Sequence, residues 1–187
     1  FDKQFRVSYP AFFQVNKSQN EKMNRLIENL IQPNGNEIIV DAYCGVGTFV
    51  GIFAEKVKKI IAIEESSAAL IDAKHNIPFI DNIQFIEGKT EDVLNNLDIN
   101  PDWIILDPPR KGCSPIVLDT LNKSPVDNLL YVSCSPENLA KDLNVLIQGS
   151  YVLDKVVPVD MFPQTQHIEC VGVLKKKDSD PGLVIRL

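Results

Sequence analysis

The spacing of apolar residues changes period several times along the chain, and each change marks an element. Met23, Leu26, Ile27 and Leu30 recur at three- and four-residue steps. That predicts a helix ending near Ile31, capped by Ser18 or Asn20 and stopped by Pro33-Asn34-Gly35. Short, mostly apolar runs at 37–40, 59–63, 83–87, 103–106 and 129–133 read as strands. Between them the helical period returns over 47–56, 66–76, 90–97, 114–121 and 136–146. Strands alternating with helices of this length predict parallel βαβ units. Residues 151–159 and 168–174 are two further strands with no helical pattern between them, so this last pair is expected to be antiparallel. The expected architecture is a three-layer α/β sandwich, with a mostly parallel sheet and a C-terminal antiparallel strand. Residues 1–16 read as an extended, aromatic lead-in arm, 17–175 as one domain and 176–187 as a tail. Lys175-Lys176-Lys177 is expected to be solvated as part of that tail.

Residues 38–49, IIVDAYCGVGTF, centre the chain. A strand runs into Asp41, Gly45 and Gly47 follow, and a helix begins. In an open α/β sheet, ligands sit outside the carboxyl ends of the strands, where such turns lie. Glycine lets the backbone approach a ligand and take positive φ. Glu64 ends the next strand, roughly 20 residues on, where an acidic side chain can accept hydrogen bonds from ribose hydroxyls. A nicotinamide-dependent dehydrogenase begins similarly. Here, however, Phe49 and Val50 follow Gly47, with no third glycine or alanine at the expected place. The antiparallel end of the sheet also suits a methyltransferase better.

Three more stretches reach the same sheet edge. Asp107-Pro108-Pro109-Arg110 ends the fourth strand in a rigid loop. Asp107 is placed to meet a cofactor or substrate, and Arg110 to hold a phosphate or position the loop. Asp-Pro-Pro here resembles motifs of S-adenosylmethionine-dependent enzymes that methylate nitrogens or nucleic acid bases. Cys134 follows the fifth strand, with Ser135 as cap and Pro136 as first helical residue. A helix N-terminus favours a thiolate, which makes Cys134 the candidate nucleophile. Cys44 reads as structural or cofactor-adjacent, Cys113 has no activating feature, and Cys170 is expected to be buried. His167 and Glu169 share one face of the last strand. By position alone Glu169 is an edge-strand carboxylate in water, and His75 has a surface role.

Composition narrows the class of protein. At 187 residues, with 44% hydrophobic and 24% charged, the chain is an ordinary globular domain. No apolar run is long enough for a membrane span and no signal-peptide pattern is present, so a cytoplasmic protein is expected. A net charge of −6 argues against a large basic nucleic-acid surface on this chain itself. The four cysteines form no CxxC pair, so no metal site is expected.

In order and spacing, these motifs resemble the catalytic domain of the RNA 5-methyluridine methyltransferases. The resemblance runs over about 5–174 and rests on FFQVN (12–16), DAYCGVGTF (41–49), Ile63-Glu64, LDPPRKG (106–112), YVSCSP (131–136) and DMFPQTQHIE (160–169). It implies a Rossmann-like class I methyltransferase fold and S-adenosylmethionine as cofactor. Gln14, Tyr43, Glu64 and Asp107 would contact that cofactor, and Gly45 and Gly47 would shape its loop. Cys134 matches the family nucleophile. Glu169 matches the general base, which reverses its bland reading. The implied activity transfers a methyl group to carbon 5 of a uridine in RNA, with rRNA favoured over tRNA. Phe162 is an aromatic candidate to support the base. The chain departs from the family at Ser135 and Thr48, where asparagine is usual or frequent. Members also carry N-terminal parts, often an RNA-binding domain, so the chain reads as a catalytic domain from a longer protein. Two other readings remain. One is a methyltransferase acting on cytosine or an exocyclic base nitrogen. The other is a cofactor-binding fragment inactive without its RNA-binding part.

Overall fold

The structure is a computed structural model that describes residues 6–8, 16–77, 80–165 and 168–178. Gln14 and His167 lie outside the described residues. Six helices and seven strands are found among those described, in the order α1 (Lys17–Ile31), β1 (Ile38–Asp41), α2 (Thr48–Phe53), β2 (Lys59–Glu64), α3 (Ser67–Asn76), β3 (Ile83–Glu87), α4 (Thr90–Asn95), β4 (Trp103–Leu106), α5 (Pro115–Lys123), β5 (Asn128–Ser133), α6 (Pro136–Gln148), β6 (Tyr151–Val159) and β7 (Glu169–Lys176). No helix among these residues is long and apolar enough to cross a membrane.

The strands form one sheet in the order β3-β2-β1-β4-β5-β7-β6. β1 to β5 are parallel, and β7 runs antiparallel to both β5 and β6. The order reverses between β1 and β4, which opens a crevice at the carboxyl edge. Helices α1, α2 and α3 cover one face and α4, α5 and α6 the other, which makes three layers. Strands covered on both faces must be apolar on both. β4 accordingly reads WIIL and is buried throughout. Each fully buried aliphatic side chain, such as Ile105 or Leu129, contributes roughly 1.5–3 kcal/mol.

The local signals mostly place the elements. Ser66, Ser114 and Ser135 cap α3, α5 and α6 with their side chains. The cap of α1 is Asn16 rather than Ser18 or Asn20. Asn16 also donates from Nδ2 to the Met161 carbonyl at 2.9 Å, a tertiary bond that fixes where the helix starts. Lys175 and Lys176 belong to β7, paired with Asn128 and Tyr151, although their side chains are solvated as expected. The described part of the arm is strapped to α3. Ser8 donates from its amide and hydroxyl to the buried Asp72, Arg6 pairs with the same carboxylate, and the Asn76 side chain accepts from the Arg6 amide and donates to the Arg6 carbonyl. These donors hold the Asp72 carboxyl below its usual range.

Candidate active site

The site is built where five strand ends meet. β1 delivers Asp41 and the glycine turn, β2 Glu64, the loop after β4 Asp107, the end of β5 Cys134, and the start of β7 Glu169. The sheet order makes neighbours of residues that are far apart in the chain.

The two glycines of the turn do different work. Gly45 has φ +52 and faces open space, where a side chain would meet nothing within 4 Å. It is the glycine that leaves room for a ligand. Gly47 has φ +89, and a Cβ there would lie 2.7 Å from Ile77 Cδ1 and 3.3 Å from Ala73 Cβ. It is required by the close packing of α3. Glu64 braces the turn: its carboxylate accepts from the Gly45 amide at 2.9 Å and from the Ser66 amide at 2.8 Å. A carboxylate has about four acceptor sites, so two remain for ribose hydroxyls. Asn76 adds a bond from Nδ2 to the Val46 carbonyl at 3.0 Å. Tyr43 is half-buried, and its hydroxyl is shared with Cys113 and Thr90 on the α4–α6 side of the sheet.

Asp41 was not among the candidates, although its place at the end of an apolar strand was the signal for it. It is 1% exposed, and neither carboxylate oxygen has a hydrogen-bond partner among the described residues. Burial pushes its carboxyl up to about 8, with Asp107 and Glu64 adding to the shift. Asp107 sits in a crowded recess but still reaches solvent, and its carboxyl is pushed up to about 7 by desolvation and by Glu169. Carboxyls raised in this way would ionise more readily beside a cationic ligand.

Cys134 is half-buried at the start of α6. Ser133 pairs with Cys170 in the β5–β7 ladder, so Cys134 and Glu169 are the next opposed positions. Two expectations change here. Glu169 is not an edge-strand carboxylate in water. β7 is inserted between β5 and β6, and Glu169 is 3% exposed. The thiol is not lowered either. Burial raises it, and Glu169 and Asp107 raise it further, against smaller pulls from its own backbone hydrogen bond and from Arg110. Ser135 accepts from the Asn138 amide as cap. Serine and asparagine cap equally well, so the departure from the family preserves the helix start.

Cys170 is buried, as expected, and so is Cys44. Burial drives the Cys44 thiol far up, consistent with a packing role. Cys113 is also buried and is pushed up to about 12. His75 is exposed. Phe162 is half-buried against the core on the α1–α3 side.

The sheet order and the glycine turn define a Rossmann-like methyltransferase fold. Residues 2–178 match the model of the tRNA (uracil-5-)-methyltransferase family, and the chain belongs to it. It is 40% identical over 181 residues to an uncharacterised RNA methyltransferase of Enterococcus faecalis, covering 94% of this chain and 40% of the relative. A second such relative, from Thermosynechococcus vestitus, is 43% identical over 175 residues, covering 91% of this chain and 38% of the relative. The chain thus spans about two fifths of the relatives it matches. Among solved structures, it resembles the Pyrococcus abyssi tRNA (uracil-54, C5)-methyltransferase in complex with S-adenosyl-L-homocysteine. The TM-score is 0.76 at 29% identity, over 91% of this chain and 41% of that one. The precorrin-6y C5,15-methyltransferase of Geobacter metallireducens shares the fold at TM-score 0.74 and 13% identity, over 94% and 96% of the two chains.

Proposed function

We propose that this chain is the catalytic domain of an RNA uracil-5-methyltransferase, acting on a uridine of rRNA or tRNA through a covalent cysteine adduct. The observation that carries the reading is the burial of Glu169 opposite Cys134, beside Asp107. A nucleophile and a sequestered carboxylate then share one cleft. Membership of the family and the likeness to the tRNA (uracil-54, C5)-methyltransferase support it.

Carbon 5 of uracil is a poor nucleophile, and covalent catalysis changes that. The Cys134 thiolate adds to carbon 6. The new S–C6 bond uses the C5=C6 π electrons and leaves an enolate with nucleophilic character at carbon 5. When bound, S-adenosylmethionine would supply an electrophilic methyl group to carbon 5, its S–CH3 bond breaking to leave the neutral thioether S-adenosylhomocysteine, and its positive charge would offset the surrounding carboxylates. Glu169 removes the proton from carbon 5, the C5=C6 bond reforms, and the S–C6 bond breaks to return the thiolate. Asp41, Glu64, Asp107 and the Gly45 backbone hold the donor, joined by Tyr43 and Gln14. The uridine must leave any stack to reach this cleft, and Phe162 is placed to support it. With a net charge of −6 on this chain, grip on the RNA backbone is assigned to an N-terminal region of the full protein.

The test is methyl transfer to RNA by the full natural protein, followed by nucleoside analysis. 5-Methyluridine is the expected product. 5-Methylcytidine or an N-methylated base would replace this reading with the alternative ones.

A further inference from the structure

Helix α6, whose cap Ser135 follows Cys134, also grips the loop that follows β4. Asn138 Nδ2 donates to the Arg110 carbonyl at 2.8 Å. One turn further on, the buried Asp142 accepts from the Cys113 amide at 2.8 Å and from the Tyr131 hydroxyl at 2.5 Å. Tyr131 is fully buried on β5, and its oxygen accepts from the same Cys113 amide at 3.3 Å. The loop is shaped for this approach. Gly112 has φ +85, and a Cβ there would lie 2.6 Å from Asp142 Oδ2. The Gly112 amide donates to the Pro109 carbonyl at 2.8 Å and closes the turn.

Asn138 therefore belongs to both sides of the cleft. Its amide donates to Ser135 Oγ, the cap beside Cys134, and its side chain holds the backbone of Arg110. The groups acting on the thiol come from three elements: Glu169 from β7, Asp107 and Arg110 from the loop after β4, and the start of α6 itself. Arg110 is the cation among them, and it opposes the two carboxylates. Asn138 fixes the backbone from which the Arg110 side chain extends.

We propose that Asn138 is a positioning residue, holding Arg110 against the Cys134 site on a loop that Asp142 anchors one helical turn away. This rests on the reading of Cys134 as the nucleophile. Asn138 is half-buried, so its side chain can be changed without opening the core.

The test compares Asn138→Ala and Asn138→Asp in the full natural protein. Both remove the amide donor, and the second keeps the shape. The pH profile of Cys134 alkylation by iodoacetamide is read by peptide mass spectrometry, alongside kcat and KM for RNA methylation. Releasing Arg110 removes a pull toward the thiolate. The alkylation midpoint should therefore move up in both variants, and kcat should fall roughly fivefold, the size of one net hydrogen bond. Melting temperature and cofactor affinity should stay the same. An unchanged midpoint and kcat in both variants overturns the proposal. A change confined to melting temperature also overturns it and leaves Asn138 a structural residue. Turnover retained by Cys134→Ala overturns the nucleophile reading instead, while the alkylation shift still decides whether Asn138 positions Arg110.

Discussion

Cys134 and Glu169 are brought to opposed positions by the pairing of Ser133 with Cys170, between two strands that β6 separates in the chain. If they act as nucleophile and base, they should fail at different stages. Cys134→Ala should lower RNA methylation by roughly 10⁴-fold or more, while calorimetry shows S-adenosylmethionine binding unchanged. Turnover near the wild-type rate would rule out the covalent route.

Glu169→Gln should stop the reaction after methyl transfer. The proton at carbon 5 then has no acceptor, and the S–C6 bond cannot break. A covalent protein–RNA species should accumulate on a denaturing gel, and Cys134→Ala should abolish it. A Glu169→Gln protein that turns over without an adduct would remove Glu169 from the base role.

The thiol should titrate high in the cofactor-free protein. Burial, Glu169 and Asp107 all raise it, so the midpoint of Cys134 alkylation should lie above the ordinary thiol value of about 8.5. Asp107→Asn removes one repelling carboxylate, so the midpoint should fall. A midpoint that stays put would show that Asp107 does not act on the thiol.

Asp41 should make stability depend on pH. Its folded value is raised to about 8, so its contribution is fully present below about pH 4 and is lost as pH rises through about 8. Asp41→Asn removes that loss. Its gain in melting temperature over the wild type should grow across this window, toward an effect on the order of a few kcal/mol. Affinity for the cationic cofactor should fall in the same variant. A constant offset between the two melting curves at every pH would count against the buried, unpaired carboxylate.

Gly47→Ala should destabilise the fold by about 1–3 kcal/mol, because it combines positive φ with a Cβ pressed on Ile77 and Ala73. Urea denaturation measures this. Gly45→Ala is strained in φ but meets no neighbour, so it should cost less stability and more cofactor affinity.

The elements were readable from the sequence because their signals are local. Ser66, Ser114 and Ser135 cap helices within three residues of themselves, and the apolar runs of β3, β4 and β6 mark their own ends. The glycine turn, Glu64, Asp107 and Cys134 were readable for a related reason. Each directly follows or ends a parallel strand, and parallel strands bring their carboxyl ends to one edge. The cap of α1 was misplaced because a bond to Met161, from far along the chain, selects Asn16.

What the sequence determined by itself was the set of elements and the sheet edge at which the candidate residues Gly45, Glu64, Asp107 and Cys134 end up. What only the tertiary structure decided was their environment. The insertion of β7 between β5 and β6 buries Glu169 and sets it against Cys134. Burial first, and then the crowding of Asp41, Asp107 and Glu169, raises Asp41, Asp107 and Cys134. Burial and charge coupling depend on which strands become neighbours, and residue spacing along the chain carries no record of that.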